Sequence, residues 1–223
     1  MLKLPFLVST ILTLTATSAA AQVMSLDEGS FTLYRDGERI GREDFSIRSA
    51  PGADGRMLVA QATQAIGQRR TAPGVNADTN GFPVRYQREV REAGQVVESY
   101  SGQASRNRYA SLLRQADGES AREFRLTAGT VVADDDIVHQ LWFIARRGAG
   151  ATVPVLVPQR NVVESVRVER VGAERLSIDL RQFETVRLAL HGPGGSLREL
   201  WISPDGRIIK ASIPALHLTA LRD

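Results

Sequence analysis

The feature that most constrains this chain is a period-two alternation of side chains, interrupted about every 10 residues by turn-forming pairs. Phe31 and Leu33 alternate with Thr32 and Tyr34; Asp36-Gly37 then precedes a return run over 40–48. Successive side chains of a strand point to opposite faces, so runs of this kind specify half-buried strands. Phe82, Val84, Tyr86, Arg88 and Val90 alternate, Ala93-Gly94 turns, and Val96, Glu98 and Tyr100 alternate back. Further runs occupy 57–66, 109–115, 122–126, 161–171, 174–181, 184–190, 197–203 and 207–213. They are separated by Asp117-Gly118, Gly172-Ala173, Gly192-Pro193-Gly194-Gly195 and Pro204-Asp205-Gly206. The stretch 72–81, with Pro73, Gly74, Asn76, Asp78, Asn80 and Gly81, reads as a loop.

About ten to twelve strands joined by short turns make an antiparallel meander, because parallel neighbours would need helical crossovers. The expected fold is therefore mainly β. A strongly curved antiparallel meander would form an open or half-closed barrel. One segment departs from the pattern. Asp134, Asp135 and Asp136 precede an apolar run ending in Arg146-Arg147-Gly148, which matches helix start and stop signals. A helix at about 135–147 follows, apolar enough to pack as a plug on the concave side of the sheet.

The amino terminus has another task. Lys3 precedes an apolar run over 4–14, and Ala19-Ala20-Ala21 supplies a small-residue cleavage site, so 1–21 reads as a secretory signal peptide. The run is shorter than the roughly 20 residues a membrane helix needs, which disfavours an anchor. Residues 22–223 are expected to form a single antiparallel β domain, periplasmic or secreted. The chain has no cysteine, hence no disulfide, no thiolate metal site and no lipidated cysteine. No later stretch predicts a stable transmembrane helix. An outer-membrane barrel shares the alternation, but no lipid-facing aromatic girdle is visible.

The formal net charge is +3, and the basic character comes from arginine, since Lys3 and Lys210 are the only lysines. Arginines alternate with acids, as in Arg167-Val168-Glu169-Arg170, without the clustered stripe of a nucleic-acid binder. No nucleic-acid partner is expected.

Chemical motifs are sparse. His139 follows Asp135 by four residues, a spacing that could place both on one metal, but no third ligand is nearby. His191 lies beside a glycine-rich turn and His217 in the last stretch, both reading as surface or edge residues. There is no G-x-S-x-G elbow, no Walker loop and no dinucleotide fingerprint. Asp78-Thr79-Asn80-Gly81 imitates a calcium loop but lacks its later acid. No catalytic residue, metal or cofactor is assigned. Among the few aromatics, Trp142, Phe143, Tyr86 and Trp201 are the candidates to line a ligand cavity, with core filling as the alternative.

Two stretches carry a family resemblance: 29–41, reading GSFTLYRDGERIG, and 200–211, reading LWISPDGRIIKA. Both resemble hairpins of uncharacterised exported bacterial proteins catalogued as domains of unknown function. Those look similar in architecture to periplasmic lipoprotein and lipid carriers, whose curved sheet holds an acyl chain. The long alternating strands, the apolar plug helix and the absence of a catalytic constellation point to a non-enzymatic periplasmic protein binding an apolar or amphipathic ligand. Alternatives are a module that pairs with an envelope protein partner, and a hydrolase with an unrecognised site at His139 and Asp135.

Overall fold

The computed structural model describes residues 22–53, 55–105 and 108–223; the expected signal peptide, 1–21, lies outside the described residues. Eight strands follow one another as hairpins: β1 (Met24–Arg35), β2 (Glu38–Gly52), β3 (Gly55–Ile66), β4 (Arg69–Asp78), β5 (Pro83–Glu92), β6 (Gln95–Ser105), β7 (Arg108–Gln115) and β8 (Gly118–Arg125). A short β9 (Val131–Val132) and a five-residue helix α1 (Leu141–Ala145) come next. The chain then resumes as β10 (Thr152–Val157), β11 (Val162–Ile178), β12 (Arg181–His191), β13 (Leu197–Ile202), β14 (Ile208–Ile213) and β15 (Leu218–Arg222).

The fifteen strands of the described residues belong to one sheet, ordered β8-β7-β6-β5-β4-β3-β2-β1-β15-β14-β13-β12-β11-β10-β9. Two meandering arms meet where β1 pairs antiparallel with β15, Phe31 facing Arg222 and Leu33 facing Ala220. Among the described residues the β9–β10 pair alone is parallel. The sheet is open, with β8 and β9 as its two ends.

Several hairpins, the first among them, form where the sequence reading placed them because the turn residues accept left-handed backbone. Asp36 and Gly37 have φ of 49° and 85°, and Ala93 and Gly94 have 48° and 85°. Two positive φ values in a two-residue loop match the right-handed twist of the strands on either side. The inward face of both arms converges on one apolar cluster, which includes Phe31 and Ile47 from one arm and Leu190 and Leu200 from the other. Within it lie Val131, Val132, Val138, Leu141, Phe143 and Ile144. The stretch 131–144 is thus wrapped by the sheet, and β9 packs on β5.

Three expectations are corrected. The stretch 72–81 is mostly strand: β4 runs through Pro73. Proline has no N–H to donate, and the β3–β4 ladder breaks there, passing from Gln61–Gly74 directly to Gln64–Thr71. The opening leaves a shallow outer depression walled by Ala62, Thr63, Ala72 and Pro73. Gly172-Ala173 is no turn either. Strand β11 continues through it, and the register shifts between Arg170 and Gly172, the mark of a β-bulge. The true turn is Asp179-Leu180, with Asp179 at φ 52°.

The third correction concerns the helix. Only Leu141–Ala145 is α-helical, preceded by irregular turns over 134–140. The expected acidic first turn and basic last turn are absent from α1. The aspartates upstream bond to β5, β13 and the 3-10 turn Pro158–Arg160, and the turns that lead into α1 are held by a residue of β2, as follows.

Candidate functional site

Residues 134–140 enter the sheet interior carrying polar side chains, and the sheet supplies a partner for almost every one. Glu43, inward-facing on β2, is fully buried. Its Oε2 accepts the N–H of Val138 at 3.0 Å, and its Oε1 accepts the N–H of His139 at 2.8 Å and its Nδ1–H at 2.9 Å. Helical turns begin with unpaired N–H groups, and a carboxylate there is favourable. Gln64 of β3 donates its Nε2 to Glu43 at 3.2 Å and to the carbonyl of Asp136 at 2.6 Å. The His139 ring stacks on Phe45, with centroids 5.9 Å apart, and its Nε2 is buried without a partner.

A second cluster surrounds Asp134. Its Oδ2 accepts the Tyr86 hydroxyl and its Oδ1 accepts the N–H of Gln159 at 2.9 Å. Gln140 closes the ring: its Oε1 accepts the N–H of Asp134 at 2.6 Å, and its Nε2 reaches the Tyr86 oxygen at 3.2 Å. The fully buried Arg88 guanidinium bonds Glu98 at 2.7 Å and lies 3.6 Å from Asp134 and 3.7 Å from Asp136. Burial pushes the Asp134 carboxyl up to about 6, although Arg88 and the Tyr86 hydroxyl pull it back. Asp136 is raised for the same first reason. For Arg88 burial acts downward, but Asp134 and Asp136 outweigh it and the net shift is upward. Burial likewise pushes the Tyr100 phenol up to about 12. Tyr86, Arg88, Asp134 and Gln140 are fully buried, so the network holds the inner segment in place, and its exposed edge is Asp136 and Glu98.

The solvent-facing chemistry lies at one end of the concave face. There Glu164 shares the inward parity of Val166 on β11, Arg198 that of Leu200 on β13, and Ile213 that of Ala211 on β14. With Leu197, Leu216 and Pro193 they wall a pocket of about 240 Å³. Four charges cross its floor in a chain. Arg198 bonds Asp135 at 2.5 Å, Arg160 bonds Asp135 at 2.7 Å, and Arg160 bonds Glu164 at 2.6 Å. Arg160 sits on a 3-10 turn (Pro158–Arg160), and its hydrogen bond to Asp135 raises its affinity for the proton. The Arg198 and Glu164 side chains are each only 7% exposed. The Arg198 Nε and the Glu164 Oε1 are buried with no hydrogen-bond partner.

The residues singled out from sequence separate. Tyr86 and Phe143 are buried in the apolar cluster, and Trp142 packs against it under the Arg146 guanidinium, 4.5 Å from the ring centre. Trp201 faces the other way, sandwiched by Lys210 at 4.3 Å and Arg187 at 5.1 Å. The four therefore do not line one cavity. Asp135 and His139 also part company, the first joining Arg160 and Arg198, the second Glu43. Among the described residues no group of three His, Asp or Glu side chains is placed to hold a metal ion. His191 is half-exposed beside Glu169, and His217 is exposed, its Nδ1 2.9 Å from Asp36. The end pocket escaped sequence reasoning because its four charged residues span 135 to 198 and look like ordinary surface charges.

With the geometry defined, the chain can be compared with known proteins. It resembles the crystal structure of a beta-barrel-like protein of a domain of unknown function, DUF1849, from Brucella abortus. The TM-score is 0.52 at 10% sequence identity, covering 92% of this chain and 97% of that one. The likeness is one of fold. No family model matches the sequence, and no curated protein matches it either. A mainly β, barrel-like architecture is thus shared along nearly the whole length of both chains.

Proposed function

We propose that this chain is exported by its 1–21 signal and acts outside the cytoplasm as a non-enzymatic binding protein for an apolar or amphipathic ligand. One observation carries the reading: a pocket of about 240 Å³ that sets the aliphatic side chains of Leu197, Ile213 and Leu216 beside the charged series Arg198–Asp135–Arg160–Glu164. Ligand sites combine apolar lining with a few placed polar groups. The carrier-like resemblance of the 29–41 and 200–211 hairpins supports the same reading, with a difference. The centre of the sheet is filled by 131–144, so the ligand sits at the end of the concave face.

The test is binding of an environment-sensitive apolar fluorophore to the mature protein. One saturable site is expected, removed by Ala215→Trp at the pocket rim. Binding indifferent to that substitution, or no saturable binding, sinks the reading. Protein recovered from the cell envelope should begin near Gln22.

A second reading, an interaction module for an envelope protein, is favoured by β8. This edge strand is exposed along nearly its whole length, and edge strands can accept a strand from a partner. Photo-crosslinking from position 121 in intact cells should capture one dominant partner; capture of none counts against it.

A further inference from the structure

We infer that the buried Asp134 carboxylate controls the end pocket through the turn Pro158–Arg160, so that the pocket holds its ligand at neutral pH and loosens its hold in mild acid. The inference rests on the binding reading above and concerns how that site is regulated. Two adjacent aspartates hold the turn. The Asp134 Oδ1 accepts the N–H of Gln159 at 2.9 Å, while the Asp135 N–H donates to the Gln159 Oε1 at 3.3 Å. The Asp135 carboxylate in turn receives Arg160 at 2.7 Å. Gln159 thus joins the interior to its chain neighbour Arg160, and Arg160 and Asp135 both line the pocket. The turn is only three residues of 3-10 helix, ending at Asn161 in left-handed backbone, so a shift at Gln159 is carried to Arg160. Ser111 of β7 bonds Asn161 at 3.0 Å, but both groups are uncharged. Asp134 is therefore the buried anchor of the turn that a proton can change.

As a carboxylate, Asp134 accepts from both Gln159 and the Tyr86 hydroxyl. A proton removes acceptor capacity and adds a donor. The Tyr86 oxygen already receives Gln140 at 3.2 Å, so the new O–H competes for an occupied acceptor. Hydrogen bonds to an ionised acceptor are about twice as strong as neutral ones, so protonation weakens the hold on the Gln159 N–H. The carboxyl faces Tyr86 and Arg88 from β5, Tyr100 from β6 with Glu98 behind Arg88, Tyr109 from β7 and Asp136 from its own segment. Burial pushes the three phenols up, so they keep their protons throughout mild acid. Burial also pushes the Asp134 carboxyl up to about 6. Asp136 is raised by the same cause and is the competing acid.

The test is titration of the mature protein with N-phenyl-1-naphthylamine, an uncharged fluorophore, from about pH 7.5 to about pH 5. Affinity for the wild type is expected to fall about three- to tenfold, with a midpoint near 6. Asp134→Asn keeps an acceptor for the Gln159 N–H but has no proton to gain, so its affinity should stay within about twofold over the same range. Coupling between sites is reciprocal, so saturating probe should lower the midpoint at which the Gln159 amide resonance shifts by about half to one pH unit. That NMR measurement uses the unmodified protein and decides the matter even where the variant does not fold. A flat wild-type profile, a pH dependence that persists in Asp134→Asn, or a Gln159 midpoint that the probe leaves in place overturns the inference while leaving the binding reading intact. Absence of saturable binding at about pH 7.5 overturns both.

Discussion

The Glu43 carboxylate holds His139 twice, through its backbone N–H at 2.8 Å and through its ring Nδ1–H at 2.9 Å. One buried acid on β2 thereby fixes both the backbone and the side chain of a segment 96 residues further along. It also caps the helical turns that follow, so an interaction between distant parts of the chain does what a local N-cap does in most helices.

Glu43→Ala should therefore cost about 3–5 kcal/mol, because it strands two buried N–H groups and an imidazole. Glu43→Gln keeps one acceptor and should cost less, about 1–3 kcal/mol. Urea unfolding of the three proteins checks the order. A loss below about 0.5 kcal/mol for the alanine variant, within the range of a surface change, contradicts the cap.

Asp134 makes stability depend on pH in an uncommon direction for an acid. Its carboxyl titrates near 3.8 when unfolded, and burial raises it to about 6 in the fold. Between those values the folded chain holds a proton that the unfolded chain has lost. Its contribution is therefore present below about pH 4 and disappears as pH rises through about 6. The stability of the wild type relative to Asp134→Asn should rise by on the order of 2–3 kcal/mol from pH 7 to pH 4. A difference that stays flat over that interval disproves the raised carboxyl.

Gly41 has no room for a methyl group. A Cβ there would lie 2.0 Å from the carbonyl oxygen of Ala65, and backbone cannot swing aside as a side chain can. Gly41→Ala should cost on the order of 3 kcal/mol by forcing β2 and β3 apart. Gly74→Ala is the control, with nothing within 4 Å of the new Cβ, and should change stability by less than about 0.5 kcal/mol. Thermal melts of both separate crowding from a general intolerance of alanine in strands.

Arg222 clasps the seam between the two arms. From β15 it bonds Asp27 on β1 at 2.6 Å and 3.2 Å and the Glu28 carbonyl at 2.7 Å, while its guanidinium lies 5.3 Å from the Phe45 ring centre. A lysine cannot reproduce that fork, so Arg222→Lys should cost about 1–3 kcal/mol. Hydrogen exchange should accelerate first in β1 and β15. Uniform acceleration across the sheet would argue against a local clasp.

The sequence by itself determined the strand-and-turn grammar. Phe31-Thr32-Leu33 reads as strand because side-chain alternation is local, and Asp36-Gly37 reads as a turn because positive φ is a property of those residues. The same local reading failed at Pro73 and Gly172, where a ladder gap and a bulge absorb residues that usually end strands. It failed again at 134–136, where three aspartates resemble a helix start. Only the tertiary structure decided their partners: Tyr86 and Gln159 for Asp134, Arg160 and Arg198 for Asp135, Arg88 for Asp136. The end pocket belongs to the same class, since Arg160, Glu164 and Arg198 become a site only when β11, β13 and the inner segment meet. Alternation and turn chemistry act over a few residues and are written in composition and spacing. Pairing of buried charges acts across the fold, and depends on which strands the sheet brings face to face.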